Sequence, residues 1–203
     1  MVVPSIHLRN VSKRFNKHFL YKDLSFDILP KEKVVVIGNN GSGKSTLLKI
    51  IIGYISPSSG DVKYIYENRE IERKNWYKFV SVAAPYMGLI EDFTLHEIID
   101  HVFCFRQYQV SKNEMIELLG LEKHLYKQIK HYSSGMKQKL RLLLAIMDRS
   151  PILLLDEPTT NLDAMNIQWY SNMIEKWAAQ KTIIVFSNNV KEEFYFCERK
   201  ITL

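Results

Sequence analysis

The run GNNGSGKST, Gly38 to Thr46, has the residue types and spacing of a phosphate cradle. Gly38, Gly41 and Gly43 let the backbone curl until its N–H groups converge, and Asn39, Asn40, Ser42 and Thr46 complete the loop around them. Lys44 is placed to neutralise the β- and γ-phosphates of a nucleotide, and the Ser45 hydroxyl to bind Mg²⁺. A second chemical pair closes the run ILLLDEP. Ligands gather at strand ends in open α/β sheets, so Asp156 suits Mg²⁺ through water and Glu157 suits a general base that polarises an attacking water. Paired acids also cap strands, but a phosphate loop in the same chain supplies the metal and phosphates that these acids need. A third feature is HYSSGMKQKLRLLLAI, where Ser133, Ser134 and Gly135 open an apolar helix. Small residues there make either a plain N-cap cluster or another phosphate-binding helix N-terminus.

These groups need elements to hold them. SIHLRNV and LSFDI alternate apolar and polar residues as half-buried strands do. Pro30 and the charged KEK make a turn before VVVIG, whose uniform apolarity predicts a strand buried on both faces of a parallel sheet. STLLKIIIG continues as a helix that stops at Gly53, so the glycine loop lies between strand and helix, the context a P-loop requires. A polar, hairpin-like piece spans roughly residues 61 to 82. From about Thr94 to Ile129 the pattern is helical, with capping boxes at Thr94/Glu97 and Ser111/Glu114. Residues 135 to 148 form a further helix with Met136, Leu140, Leu143 and Met147 on one stripe. PILLLDE and TIIVFSN are buried strands on either side of the helix AMNIQWYSNMIEKWAAQ, and RKITL is a last strand. The expected fold class is α/β: a P-loop NTPase core with a mostly parallel sheet, a small N-terminal antiparallel β subdomain, and a helical subdomain inserted at approximately 86–150. Residues 1–203 then make one domain.

Composition bounds the rest. The 203 residues are 46% hydrophobic and carry a net charge of +6, which favours anionic partners unless it only solvates the surface. The lysines are scattered, without the basic and aromatic platform of a single-strand binder, so no nucleic-acid partner is expected. Cys104 and Cys197 have no metal-ligand spacing and suggest a reducing compartment. MVVPSIHLRN lacks the apolar core of a signal peptide, and no apolar run reaches the ~18–20 residues of a membrane span. A cytoplasmic protein is expected.

YSSGMKQKLRLLLAI followed by PILLLDEPTTNLD resembles the signature motif, Walker B strand and D-loop of the ATP-binding subunits of ABC transporters, in that family's order and spacing. The likeness runs from about Ile6 onward. It implies an ATPase with ATP and Mg²⁺ as cofactors, working on the cytoplasmic face of a membrane with a separate transmembrane permease. It also implies a second ATP-binding subunit, identical or not. In such dimers each ATP is sandwiched between one P-loop and the partner's signature helix, so Ser133, Ser134 and Gly135 would serve the partner's γ-phosphate. Phe15 matches the aromatic residue that stacks on adenine, although it could equally pack in the small sheet. Asp163 matches the D-loop acid, a role compatible with capping the helix that starts near Ala164. The form YSSGMKQ is closer to exporter-type members. Phe103, Phe105 and Tyr108 mark a docking side for the permease, or else core.

Two positions depart from the pattern. Where the family has a metal-shell glutamine, this chain has Ala84 or Pro85; where it has a switch histidine, this chain has Asn188. Asparagine donates a hydrogen bond but cannot carry charge or exchange a proton. Nucleotide binding should survive, with hydrolysis slower than in the family at large. The alternative is a nucleotide-gated regulatory or binding module with little turnover.

Overall fold

Residues 2–16 and 18–203 are described by the structure, a computed structural model. The alternating N-terminal runs form β1 (Ser5–Phe15) and β2 (His18–Ile28), longer than their apolar alternation alone outlines. They pair antiparallel with Ile6 opposite Ile28, and Ile6, Leu8 and Val11 point inward. The apolar run VVVI is β3 (Lys33–Ile37), followed by the glycine loop and α1 (Lys44–Ile51). β4 (Ser59–Tyr66) and β5 (Arg69–Ile71) make a hairpin whose two-residue turn, Glu67 and Asn68, has positive φ at both positions (48° and 60°). The hairpin is therefore shorter than the polar stretch suggested. A 3-10 turn then leads into β6 (Val80–Ala83), a strand too short to show in the sequence pattern.

The helical stretch resolves into α2 (Leu95–Phe105) and α3 (Lys112–Leu119), with two single 3-10 turns beyond. Both capping boxes form. Thr94 accepts from the Glu97 N–H while the Glu97 carboxylate accepts from the Thr94 N–H, and Ser111 and Glu114 repeat the arrangement. Next come α4 (Ser134–Met147), β7 (Ile152–Asp156), α5 (Ala164–Trp177), β8 (Thr182–Ser187), the short α6 (Lys191–Phe194) and β9 (Arg199–Thr202).

Two sheets result: four strands in the order β2-β1-β4-β5, antiparallel in each pairing, and five in the order β6-β7-β8-β3-β9. In the larger sheet β3 runs parallel to β8 and β9, and β7 parallel to β8. Every residue of β7 and β8 is buried, as continuous apolar runs require when both faces of a parallel sheet are covered.

The chain divides into two compact units. The first holds residues up to 81, 150–157 and 180–203, with Val34, Val36, Leu47, Leu48, Leu154 and Ile184 among its buried residues. The second holds residues 82–149 and 158–179, built on α2 to α5 around Ile98, Met115, Leu140, Leu143 and Tyr170. Phe103 stacks on Tyr108 at 4.6 Å, and Tyr108 is buried, so of the three aromatics singled out in this region only Phe105 stands out in solvent, at 74% exposure.

Candidate nucleotide-phosphate site

β3 ends at Ile37 and the chain turns at once, because Gly38 N–H donates to the carbonyl of Ser187 on β8 (3.4 Å). Gly41 and Gly43 take left-handed φ of 82° and 98°. At Gly43 a side chain would also press on the Tyr21 ring, 3.0 Å from where its Cβ would lie. A Cβ at Gly38 would fall 2.4 Å from Ser42 Oγ. Gly43 is the N-cap of α1 and supplies no side-chain cap, leaving the first N–H groups of that helix facing the loop's concavity.

Lys44 is only 5% exposed, yet its ammonium is satisfied in three directions. It donates to the carbonyls of Gly38 (2.7 Å) and Asn39 (3.1 Å) and to Asn188 Oδ1 (2.5 Å). The other end of the Asn188 amide donates to Glu157 Oε1 (2.6 Å) and to Asn40 Oδ1 (2.7 Å). One amide thus connects the lysine of the loop to the second acid of β7's tail. Glu157 itself holds φ +47°, unusual for a side-chain-bearing residue, with its N–H donating to the Phe186 carbonyl at 2.9 Å.

Beside this chain of bonds, Ser45 Oγ donates to Asp156 Oδ2 at 2.7 Å. Burial pushes the Asp156 carboxyl above the ordinary aspartate range; the Ser45 hydroxyl and Lys44 pull the other way, while neighbouring Glu157 adds to the rise. Its second oxygen, Oδ1, is buried and has no hydrogen-bond partner among the described residues, and neither has Ser42 Oγ in the loop. A buried, unpaired carboxylate oxygen next to a hydroxyl is a hard-oxygen pair of the kind Mg²⁺ takes, so these residues fit that ion. A cavity of about 340 Å³ opens over the loop. Phe15, 55% exposed at the end of β1, lines it together with Leu20, Gly41, Lys44, Thr46 and Glu157. The Lys13 ammonium lies 5.2 Å from the centroid of the Phe15 ring. Ala84 is buried and apolar and offers no metal ligand.

The remaining sequence-derived positions lie in the second unit. Ser133 is the N-cap of α4, its Oγ accepting from the Met136 N–H at 3.2 Å, with Ser133 and Ser134 flanking the exposed helix start. Asp163 caps α5, accepting from the Asn166 N–H at 2.8 Å. One position escaped the sequence pattern. Gln138, on the side of α4 away from the Met136–Leu140–Leu143–Met147 stripe, is 2% exposed and donates to the carbonyl of Pro158 at 2.9 Å.

A glycine-rich loop between a parallel strand and a helix, with an acid pair at the end of a nearby parallel strand, defines a P-loop nucleoside triphosphatase. The family model described as ABC transporter matches residues 21–160. The lantibiotic transport ATP-binding protein SrtF of Streptococcus pyogenes is 31% identical over 192 residues, covering 93% of this chain and 81% of that protein. Nod factor export ATP-binding protein I of Burkholderia lata is 30% identical over 209 residues, covering 98% of this chain and 67% of that protein. Among solved structures, the dimeric bacterial ABC transporter cassette MJ0796 superposes with a TM-score of 0.80 at 25% identity, over 98% of this chain and 94% of its own. The chain belongs to the ABC transporter ATP-binding proteins, whose nucleotide-binding domains are ATPases in general.

Proposed function

We propose that this chain is the ATP-hydrolysing subunit of an ABC transporter and that its own residues divide the work between binding, metal and base. The loop from Gly38 to Thr46 wraps the triphosphate with backbone N–H groups, and Lys44 exchanges its present partners for phosphate oxygens. Ser45 and Asp156 hold Mg²⁺, which when bound supplies charge neutralisation at the phosphates. Glu157 takes up the proton of the attacking water, and Asn188 orients Glu157 on one side while facing the phosphates on the other. Phe15 stacks on the base. The observation that carries this reading is the continuous hydrogen-bonded run Lys44–Asn188–Glu157 beside Ser45–Asp156.

Residues 1–203 act as one ATP-binding domain with a helical insertion. It works as a dimer with a second ATP-binding subunit, identical or not, in which Ser133, Ser134 and Gly135 meet the partner's γ-phosphate and Asp163 links the two sites. The dimeric cassette among the structural relatives supports that arrangement. The transmembrane permease is a separate chain that holds this subunit at the cytoplasmic face; no helix among the described residues is long and apolar enough to cross a membrane. Its docking ground is the second unit, where a cavity of about 270 Å³ is lined by Met87, Ile90, Ile98, His101, Val102 and Arg141, and where Phe105 is exposed. Relatives named for lantibiotic transport and Nod factor export support an export direction. Because Asn188 cannot shuttle a proton and neither Ala84 nor Pro85 can bind a metal, turnover is slower than in the family at large.

Steady-state MgATP hydrolysis, with Glu157→Gln alongside, tests the reading. Turnover abolished by Glu157→Gln supports an ATPase motor. ATP binding with no turnover in either protein would replace it with a nucleotide-gated module.

A further inference from the structure

Asn188 works from an exposed place. It is the first residue beyond β8, on a turn in which Asn188, Asn189 and Val190 are all exposed. Asn189 stands at φ +72°, a left-handed conformation that persists only where its surroundings hold it. The Asn188 amide must nonetheless stay within hydrogen-bond reach of Lys44 and Glu157 at once. Its side chain has only two rotatable bonds, so the amide goes where the backbone puts it.

The hold lies one residue back. Ser187 ends β8, is fully buried, and is fixed by its carbonyl, which accepts from the Gly38 N–H. Its hydroxyl serves two partners across the turn: it accepts from the Val190 N–H at 3.2 Å and donates to the Glu193 carboxylate. Glu193, in α6, is only 2% exposed, whereas its neighbour Glu192 faces solvent as an acid ordinarily does. The Glu193 N–H donates to the Val190 carbonyl at 3.1 Å. Both backbone groups of Val190 are thus taken up, one by Ser187 and one by Glu193, and those two residues are bonded to each other. A hydroxyl has one hydrogen and two lone pairs; with its hydrogen directed at Glu193, a lone pair is left for Val190. An apolar side chain would fill the same space without the penalty of burying a carboxyl, so packing alone does not account for an acid there. All of these residues belong to the first compact unit.

We infer that Glu193 is a positioning residue for Asn188: by holding the Ser187 hydroxyl it closes the turn from Ser187 to Val190, and so keeps the Asn188 amide between Lys44 and Glu157. The bearing on hydrolysis rests on the function proposed above; the closure of the turn does not. Glu193 acts through Asn188, so its loss matters to turnover only where Asn188 is present.

Glu193→Met keeps the length and removes the acceptor, Glu193→Gln keeps both, and Ser187→Ala removes the hydroxyl from the other side. The first measurement is hydrogen exchange at the Val190 amide in the nucleotide-free protein, which needs no turnover. Exchange at least about tenfold faster in Glu193→Met and Ser187→Ala, near the parent rate in Glu193→Gln, and unchanged at the core amides of β8 is the expected result. Equal exchange at Val190 would overturn the closure, and faster exchange throughout β8 would reduce Glu193 to a packing residue. The second is ATP hydrolysis as a function of ATP concentration. Glu193→Met should lower kcat about tenfold and leave half-saturation by ATP within about twofold, and Glu193→Gln should restore most of the loss. In an Asn188→Ala background the same Glu193→Met change should lower kcat no further than about twofold. An unchanged kcat, a tenfold loss repeated in that background, or a loss matched by an equal fall in ATP affinity would overturn the positioning role. A parent protein that hydrolyses nothing would sink the ATPase reading, and the exchange measurement would still decide the closure.

Discussion

Asn188 Nδ2 donates to Glu157 Oε1 at 2.6 Å, while the oxygen of the same amide accepts from Lys44 at 2.5 Å. An amide serves a cation with its oxygen and a carboxylate with its nitrogen at the same time. Alanine breaks both bonds at once. Asn188→Ala should lower kcat by about 10²-fold while ATP binding changes only a few-fold, since the loop's N–H groups remain. Asn188→His should raise turnover by at least about tenfold, because imidazole adds a transferable proton. Unchanged turnover in the histidine variant would remove Asn188 as the cause of slow hydrolysis.

Removal of metal should be read through Asp156. With Ser45 Oγ on one carboxylate oxygen and the other unpaired, the site is poised for a cation. ATP at about a hundred times its Kd should stabilise the protein by ~2.7 kcal/mol in the presence of Mg²⁺. Chelation with EDTA, or Asp156→Asn, should remove most of that thermal shift. A shift indifferent to both would take Asp156 out of the metal site.

Gly60 tests the small sheet. It sits at φ +75° in β4, and a Cβ there would lie 2.2 Å from the Asn10 carbonyl oxygen and 2.4 Å from that of Arg9. These are backbone atoms of the paired strand β1 and cannot rotate away. Gly60→Ala should cost about 2–4 kcal/mol in chemical denaturation. A loss under about 0.5 kcal/mol would mean that the sheet gives way locally.

The Thr94–Glu97 box holds the start of α2 by reciprocal bonds. Thr94→Ala should cost about 1 kcal/mol, a fall of roughly 2–4 °C in Tm for a chain of this size. Differential scanning calorimetry reads it directly.

In the first unit, Arg9 holds the Asp27 carboxyl below the ordinary aspartate range, with His7 contributing. A depressed carboxylate stabilises the folded state above its unfolded value and loses that contribution as pH falls through the folded value. Acid titration of stability should therefore show an Asp27-dependent loss beginning near pH 4 and continuing below it. Asp27→Asn should flatten that part of the curve. The pair is largely solvent-facing, so the effect should shrink with salt.

Local signals in the sequence were those that fold locally. The glycine loop, both capping boxes, the Ser133 and Asp163 caps and the buried runs of β3, β7 and β8 each depend on residues a few positions apart. The Lys44–Asn188–Glu157 run could not be read that way. Its members lie far apart in sequence, and only the β7-β8-β3 order brings their strand ends side by side. Strand β6 is hidden because four residues carry too little alternation to register. Gln138 reads as an exposed helix position, and its burial comes from the loop after Glu157, which no helical period encodes. For Phe103 and Tyr108 the sequence leaves docking surface and core both open; Tyr108 is buried, and Phe103 is half-buried and stacks on it.

The strand order also sets a timetable for synthesis. The phosphate loop leaves the ribosome early, but β3 below it has β8 and β9 as neighbours, and Lys33 lies opposite Ile183, about 150 residues downstream. Until those last strands emerge, the loop hangs from a strand with no ladder on either side. A nascent chain can make its four-stranded sheet with nearby residues, while the ladders that hold β3 wait for β8 and β9. Chains cut before Thr182 should therefore leave the phosphate loop on an unpaired strand and bind no ATP.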